Sequence, residues 1–201
     1  MKIYNLTFIL AILICISSCK EEKKSDAERD DSEITDTESN NMENNGNDVP
    51  SNKQVAFPLV SKSGSDVTGE VAFVENDGVI TMKATLNGLS EGKHAIHIHE
   101  KADCSSDDGK STGGHWNPTA EPHGKWGDEG GYHKGDIGNF NADAEGNAEV
   151  SMSTDEWCIG CDDETKNILG KAIIVHQGVD DFTSQPSGAA GTRISCGGII
   201  K

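Results

Sequence analysis

The chain has 201 residues, enough for one domain of ordinary size and some additional length. Its 34 acidic residues against 17 lysines and arginines give a formal charge of −17, which excludes a nucleic-acid partner because nothing neutralises phosphates. Glycine is abundant at 23 residues and aromatics make up only 5%, a mix that suits short strands joined by turns and loops rather than a helical bundle.

At the N-terminus, Lys2 precedes an apolar run from Leu6 to Ile16, followed by Ser17-Ser18-Cys19. This order predicts a signal peptide over residues 1–18 rather than a membrane span. Ile16-Ser17-Ser18-Cys19 resembles the lipobox of bacterial lipoproteins. The resemblance implies a lipid on Cys19, the first mature residue, and membrane attachment in the envelope of a Gram-negative bacterium, periplasmic or on the outer-membrane surface. The alternative is a plain secretory signal removed together with Cys19; Cys15, preceded by bulky Ile14, is the weaker lipidation candidate. Lys20-Glu21-Glu22 resembles a surface-export signal of some Bacteroidetes lipoproteins.

Residues 19–52 carry 11 of the 34 acidic residues and almost nothing apolar. Such a segment cannot bury enough surface to offset its ordering entropy, and it reads as a disordered, extended acidic tether. The rest of the chain, residues 53–201, is still acidic and reads as one folded domain.

In that domain Val71–Val74, Val79–Leu86, Ala148–Met152 and Lys171–Val175 read as strands. Several alternate apolar and polar residues, as half-buried strands do. Glu75–Gly78 and Asp143–Asn147 read as hairpin turns. Ala102 to Gly131 is dense in Gly, Asp, Ser and Pro without periodicity, and a loop that long inside a compact domain is usually functional. The fold class is all-β: an antiparallel sandwich or barrel with long loops that carry a site.

All seven histidines lie between His94 and His176. In His97-Ile98-His99 the two imidazoles share one strand face, with backbones roughly 6.5–7 Å apart, while Ile98 faces the core. His176 ends an apolar strand, where another ligand can sit. His115, His123, His133 and Asp136 supply a second set. Three imidazoles and one carboxylate suit closed four-coordinate zinc. The all-imidazole set lacks the thiolate of a blue-copper site and suits copper(II) in a flattened nitrogen field.

Cys104, Cys158, Cys161 and Cys196 remain outside the signal region. An even number in an exported protein predicts disulfides, with three possible pairings.

From Val55 to Lys201 the sequence resembles the copper/zinc superoxide dismutase family. The resemblance is carried by Gly92-Lys-His94-Ala-Ile-His97-Ile-His99-Glu100, by Gly113-Gly114-His115-Trp116-Asn117-Pro118, by His133-Lys134-Gly135-Asp136-Ile137-Gly138-Asn139, and by Gly191-Thr-Arg193-Ile-Ser-Cys196-Gly197. It implies a Greek-key β-barrel of immunoglobulin-like architecture that converts superoxide to dioxygen and hydrogen peroxide by copper(II)/copper(I) cycling, protecting the cell envelope. His97, His99 and His176 would bind copper. His115 would bridge copper and zinc, and His123, His133 and Asp136 would complete the zinc site. Asp180, with Asp181 as the competing candidate, would link a copper histidine to a zinc histidine. His94 would buttress the copper strand without binding metal. Arg193 would dock the small anion, and Cys104–Cys196 would be the intrasubunit disulfide. The resemblance admits a homodimer.

Two features depart from the family pattern. Asp180 to Arg193 is shorter than the charged steering loop of eukaryotic members and carries no charge over Thr183–Gly188, which leaves Arg193, with Lys125 or Lys134, to attract an anion to an acidic domain. Trp157-Cys158-Ile-Gly-Cys161 has no counterpart; it reads as a local disulfide, a copper(I)-acquisition handle or a redox pair. The rival functions are a non-catalytic copper-binding or storage domain of the same fold and a zinc hydrolase, which needs an open zinc position and a nearby base.

Overall fold

The computed structural model describes residues 52–201. The signal peptide, Cys19 and the tether, apart from its last residue, lie outside the described residues.

Alternation builds the barrel. In β1 (Lys53–Ser61) Val55, Phe57 and Leu59 are buried while Gln54, Ala56 and Pro58 face out. In β2 (Thr68–Asn76) Val71 and Phe73 point inward, and in β3 (Val79–Asn87) so do Ile80, Met82, Ala84 and Leu86. The β2–β3 hairpin closes through Asp77 and Gly78, which pair Asn76 with Val79 and both have positive φ, at 48° and 78°. Two left-handed residues match the right-handed twist of the flanking strands, which is why Asp-Gly sits there.

The other strands are β4 (Gly92–His99), β5 (Gly138–Ala142), β6 (Ala148–Thr154), β7 (Ala172–His176) and β8 (Arg193–Gly198). All pair antiparallel in the order β5-β4-β7-β8-β1-β2-β3-β6. The two end strands, β5 and β6, are consecutive in the chain and joined by the turn at Asp143–Asn147, where Asp143 N donates to Asn147 O at 2.9 Å. The sheet thus curls into a nearly closed eight-stranded barrel. Among the described residues the helical structure is a single 3₁₀ turn, Lys110–Thr112, inside the long loop after β4.

β4 and β7 are buried on both faces. Ile96, Ile98, Ile173 and Val175 enter the barrel core, while His97 and Ile174, opposite one another in register, face away from it under the loops. The site therefore lies outside the barrel, roofed by loop. A disulfide between Cys104 and Cys196, 92 residues apart with Cα atoms at 5.9 Å, ties that roof to β8; closing so long a loop stabilises by about 4–5 kcal/mol at most. The second pair is the local Cys158–Cys161 bridge.

At the end of the barrel core Phe73 lies 6.3 Å from the Phe57 ring and 6.0 Å from Trp157, fully buried. Phe73→Ala should destabilise the chain by about 3–5 kcal/mol, read as a lowered urea midpoint; a loss below 1 kcal/mol would mean that this cluster does not carry the core.

Candidate metal centre

The roof is stitched to β4 by backbone bonds. Trp116 N donates to Ile98 O at 2.8 Å, Ile98 N to Gly135 O at 2.9 Å, and Gly135 N to Trp116 O at 2.9 Å. Residue 135 must be glycine, because a Cβ there would collide with Ile98 O. This stitching brings His115 beside the β4 histidines, with its ring centroid 3.9 Å from His97 and 5.0 Å from His99.

Two donor sets result. His97, His99, His115 and His176 form one, and His115, His123, His133 and Asp136 the other; within each set the ligand atoms lie within 4.8 Å of one another and every residue is buried. His115 belongs to both. Its Nδ1 sits 2.8 Å from Asp136 Oδ1, and its Nε2 is buried without a partner.

Hydrogen bonds on the opposite ring nitrogens aim these donors and set their tautomers. His97 Nε2 donates to Asp180 Oδ2 at 2.8 Å and frees Nδ1. His99 Nδ1 donates to Gly113 O at 3.0 Å and frees Nε2. His176 Nδ1 faces Gly191 O at 3.4 Å and frees Nε2. His123 Nε2 donates to Asp180 Oδ1 at 2.8 Å; its Nδ1 lies 2.9 Å from Asp136 Oδ2 but off the hydrogen-bonding direction. Asp136 is itself oriented by backbone, accepting at Oδ2 from His133 N at 2.8 Å and Gly124 N at 3.2 Å. One carboxylate, Asp180, thus spans the two sets. Asp181 is exposed and instead caps its own turn through Thr183 N and Ser184 N.

Six buried imidazole nitrogens, on His97, His99, His115, His123, His133 and His176, have no hydrogen-bond partner among the described residues. Buried polar atoms are nearly always satisfied. Here the unpaired nitrogens converge within each set, so the residues present fit two metal ions. His94 contributes none: its Nδ1 faces His176 O at 3.1 Å and its Nε2 faces Ser90 O at 2.9 Å, tying β4 to β7.

A family model for copper/zinc superoxide dismutase matches residues 67–199. The chain belongs to the copper/zinc superoxide dismutase family. It is 35% identical over 146 residues to superoxide dismutase [Cu-Zn] 2 of Aquifex aeolicus, covering 70% of this chain and 83% of that protein. It is 31% identical over 144 residues to the extracellular superoxide dismutase [Cu-Zn] of Caenorhabditis elegans, covering 69% of this chain and 63% of that one. Among solved structures, a SOD-like protein from Bacillus subtilis aligns at a TM-score of 0.64 and 31% identity, over 72% of this chain and 97% of the other. A double mutant of a SOD-like protein from Bacillus subtilis aligns at 0.65 and 33%, over 73% and 97%. Copper and zinc are the metals this copper/zinc superoxide dismutase family implies, and the two donor sets match their chemistry.

A cavity of about 420 Å³ opens onto the all-imidazole set, lined by His99, His115 and His176 together with Arg193, Glu100 and Asn117. The Arg193 guanidinium is fixed by Gly109 O at 2.9 Å and Thr112 Oγ1 at 3.2 Å. Neither Lys125 nor Lys134 lines this cavity: Lys125 is exposed elsewhere, and Lys134 is engaged by Glu156. Sequence reasoning did not single out Glu100 as a cavity charge. It also missed three supports. Asn139 exchanges two 2.8 Å bonds with the Asp180 backbone, and Gln185 brackets the His123 backbone with two 2.9 Å bonds. Gly188 lies where any Cβ would strike the Asp180 carboxylate. Asn139 stands within the His133–Asn139 motif, which was the available signal; the other two carry none.

Burial disfavours a proton on His97, His99 and His176, which are held below their ordinary range, and takes His115 down to about 4 despite Asp136. Burial also works against the proton on His123, but the Asp136 and Asp180 carboxylates outweigh it and raise His123 to about 9. Burial opposes ionisation of Asp136 and Asp180, and the surrounding imidazole bonds win, holding both well below the usual carboxylate range.

The linkage has a definite sign. Lowered histidines cost nothing above their ordinary value of 6.5 and destabilise the fold as pH drops below it, because the unfolded chain takes protons first. Raised His123 stabilises fully below 6.5 and loses that contribution as pH rises through about 9. Stripped of metal, the chain should therefore be most stable near pH 6.5, with a melting temperature that falls on both sides. His123→Gln should remove the alkaline decline. A melting temperature unchanged between pH 6.5 and 4.5 would contradict this account.

Proposed function

We propose that the chain dismutates superoxide to dioxygen and hydrogen peroxide, with His97, His99, His115 and His176 holding copper and His115, His123, His133 and Asp136 holding zinc. The observation that carries this reading is the position of His115, shared by both donor sets and open to a cavity that also presents Arg193. When bound, copper supplies the one-electron couple, and zinc supplies the positive charge that lets an imidazole ionise near neutral pH.

The chain's own residues account for the rest. Arg193, immobilised by two oxygen acceptors, offers its remaining N–H groups to a small anion. Glu100 in the same cavity opposes that charge, so anion capture rests on short-range contact with Arg193 rather than on a broad positive field. His115 takes up a proton at Nε2 in one half of the cycle and gives it to the reduced product in the other; a second proton comes from solvent. Asp180 keeps His97 and His123 in their ligand tautomers throughout.

A storage domain has no use for a guanidinium pinned beside the donor set. The zinc set has four donors and resembles a closed site rather than one open for hydrolysis. From the sequence we further propose that a lipid on Cys19 attaches the mature chain to a membrane of the cell envelope, where it removes superoxide.

Metal content per chain, measured with dismutation before and after copper removal, separates these functions. His115→Ala should largely abolish turnover with both metals still bound, and near-normal turnover in that loaded variant would sink the mechanism. Arg193→Ala should lower kcat/KM by about 10- to 100-fold, the range for losing a hydrogen bond to a charged group, and should weaken azide binding in parallel.

A further inference from the structure

The Glu156–Cys161 segment belongs to neither donor set, yet it grips the second one. Glu156 Oε1 accepts from Tyr132 Oη at 2.7 Å, and Glu156 Oε2 accepts from Lys134 Nζ. Tyr132 and Lys134 flank His133, so a single carboxylate holds the chain on both sides of that ligand. Trp157 Nε1 adds a 2.8 Å bond to Lys134 O. The buried Trp157 ring packs edge-on against Trp126, 5.4 Å away, and Trp126 packs on Tyr132 at 4.9 Å.

The segment is anchored from behind. Ile159, fully buried, donates from its backbone to Glu75 Oε2 at 2.7 Å at the end of β2. Cys158 exchanges backbone bonds with Lys166 O at 2.8 Å and Ile168 N at 3.1 Å. The Cys158–Cys161 disulfide closes the turn between these anchors.

His133 needs such support. His97, His99 and His123 each have a ring hydrogen bond that fixes the imidazole from the far side. Among the described residues His133 Nε2 has no such partner, so the orientation of its ring depends on the backbone that carries it.

We propose that Glu156 and Trp157 are positioning residues for His133 and that the Cys158–Cys161 disulfide is the latch that keeps them in place. The inference rests on reading His115, His123, His133 and Asp136 as the zinc site. The test is zinc release from the copper- and zinc-loaded full chain to a chromophoric chelator, paired with the visible spectrum of cobalt(II) substituted for zinc. Glu156→Ala and Trp157→Phe should each speed release by about tenfold, the low end for loss of an outer-shell support, and should shift the cobalt bands. Trp157→Phe removes the Nε1 bond while keeping an aromatic ring in the core, and the cobalt bands separate loss of that bond from the smaller ring's effect on stability. Glu156→Gln, which still accepts from Tyr132, should fall between Ala and wild type. Cys158→Ser with Cys161→Ser should act in the same direction by a smaller factor. Release within twofold of wild type and an unchanged cobalt spectrum in both Glu156→Ala and Trp157→Phe would overturn the inference, even if their melting temperatures fall. A wild-type chain that holds no zinc would instead overturn the zinc reading, and this inference with it.

Discussion

Six imidazole nitrogens kept from water with nothing to bond to are the constraint around which the rest of the molecule is arranged. Each such group costs about 1–3 kcal/mol when it is left unsatisfied in the interior. A fold that keeps six of them, aimed at two points, does so by holding most of the rings from behind. Asp180 is the main device. It sits between His97 and His123, its backbone is clasped by Asn139, and Gly188 lies where any side chain would displace its carboxylate. Asp136 does the same for the second set with two backbone donors of its own. Both carboxylates stay ionised because the imidazoles around them outweigh burial. The arrangement is preorganised for cations: burial keeps the imidazoles of His97, His99, His115 and His176 neutral, and Asp136 and Asp180 bring anionic charge beside them.

That preorganisation explains why loops, usually the most mobile part of a domain, can carry a site here. The loop from Glu100 to Ile137 is bonded to β4 through the Trp116–Ile98–Gly135 triangle and held to β8 through Cys104–Cys196. Arg193 completes the tie, since the guanidinium that faces the cavity also bonds Gly109 O and Thr112 Oγ1 in the same loop. One side chain thus serves the loop's position and the cavity's charge together, and a change at Arg193 reaches both.

Much of this was legible in the residues. Strands β2, β3, β6 and β7 could be read because they are strongly apolar or strictly two-faced, and the Asp77-Gly78 turn because its dihedrals demand those residue types. β1 was harder. Pro58 interrupts its pattern, and a proline within a run argues against a strand; it is tolerated because β8 pairs with β1 only at Val60 and Ser61. β5 is rich in glycine and asparagine, β8 ends in two glycines, and both are strands only because their neighbours make them so. At the site, the ligand histidines are chemically distinctive and cluster in sequence. Their supports are neither. Gln185 acts on His123 across 62 positions, Glu156 on Tyr132 and Lys134 across 24 and 22, and Gly188 through a missing side chain, and nothing local marks them.

The cavity's electrostatics follow from the same economy of charge. The domain is acidic, and an anion approaching it meets repulsion until it reaches a site shielded by low-dielectric walls. Lys134 is spent on Glu156, the loop from Thr183 to Gly188 carries no charge, and Glu100 lines the same cavity as Arg193. A single fixed guanidinium in a narrow opening discriminates by contact: it rewards an ion small enough to reach it and gives little long-range pull. Affinity for small anions should then depend on geometry at Arg193 more than on ionic strength, a consequence of how few positive charges this surface leaves unpaired near the site.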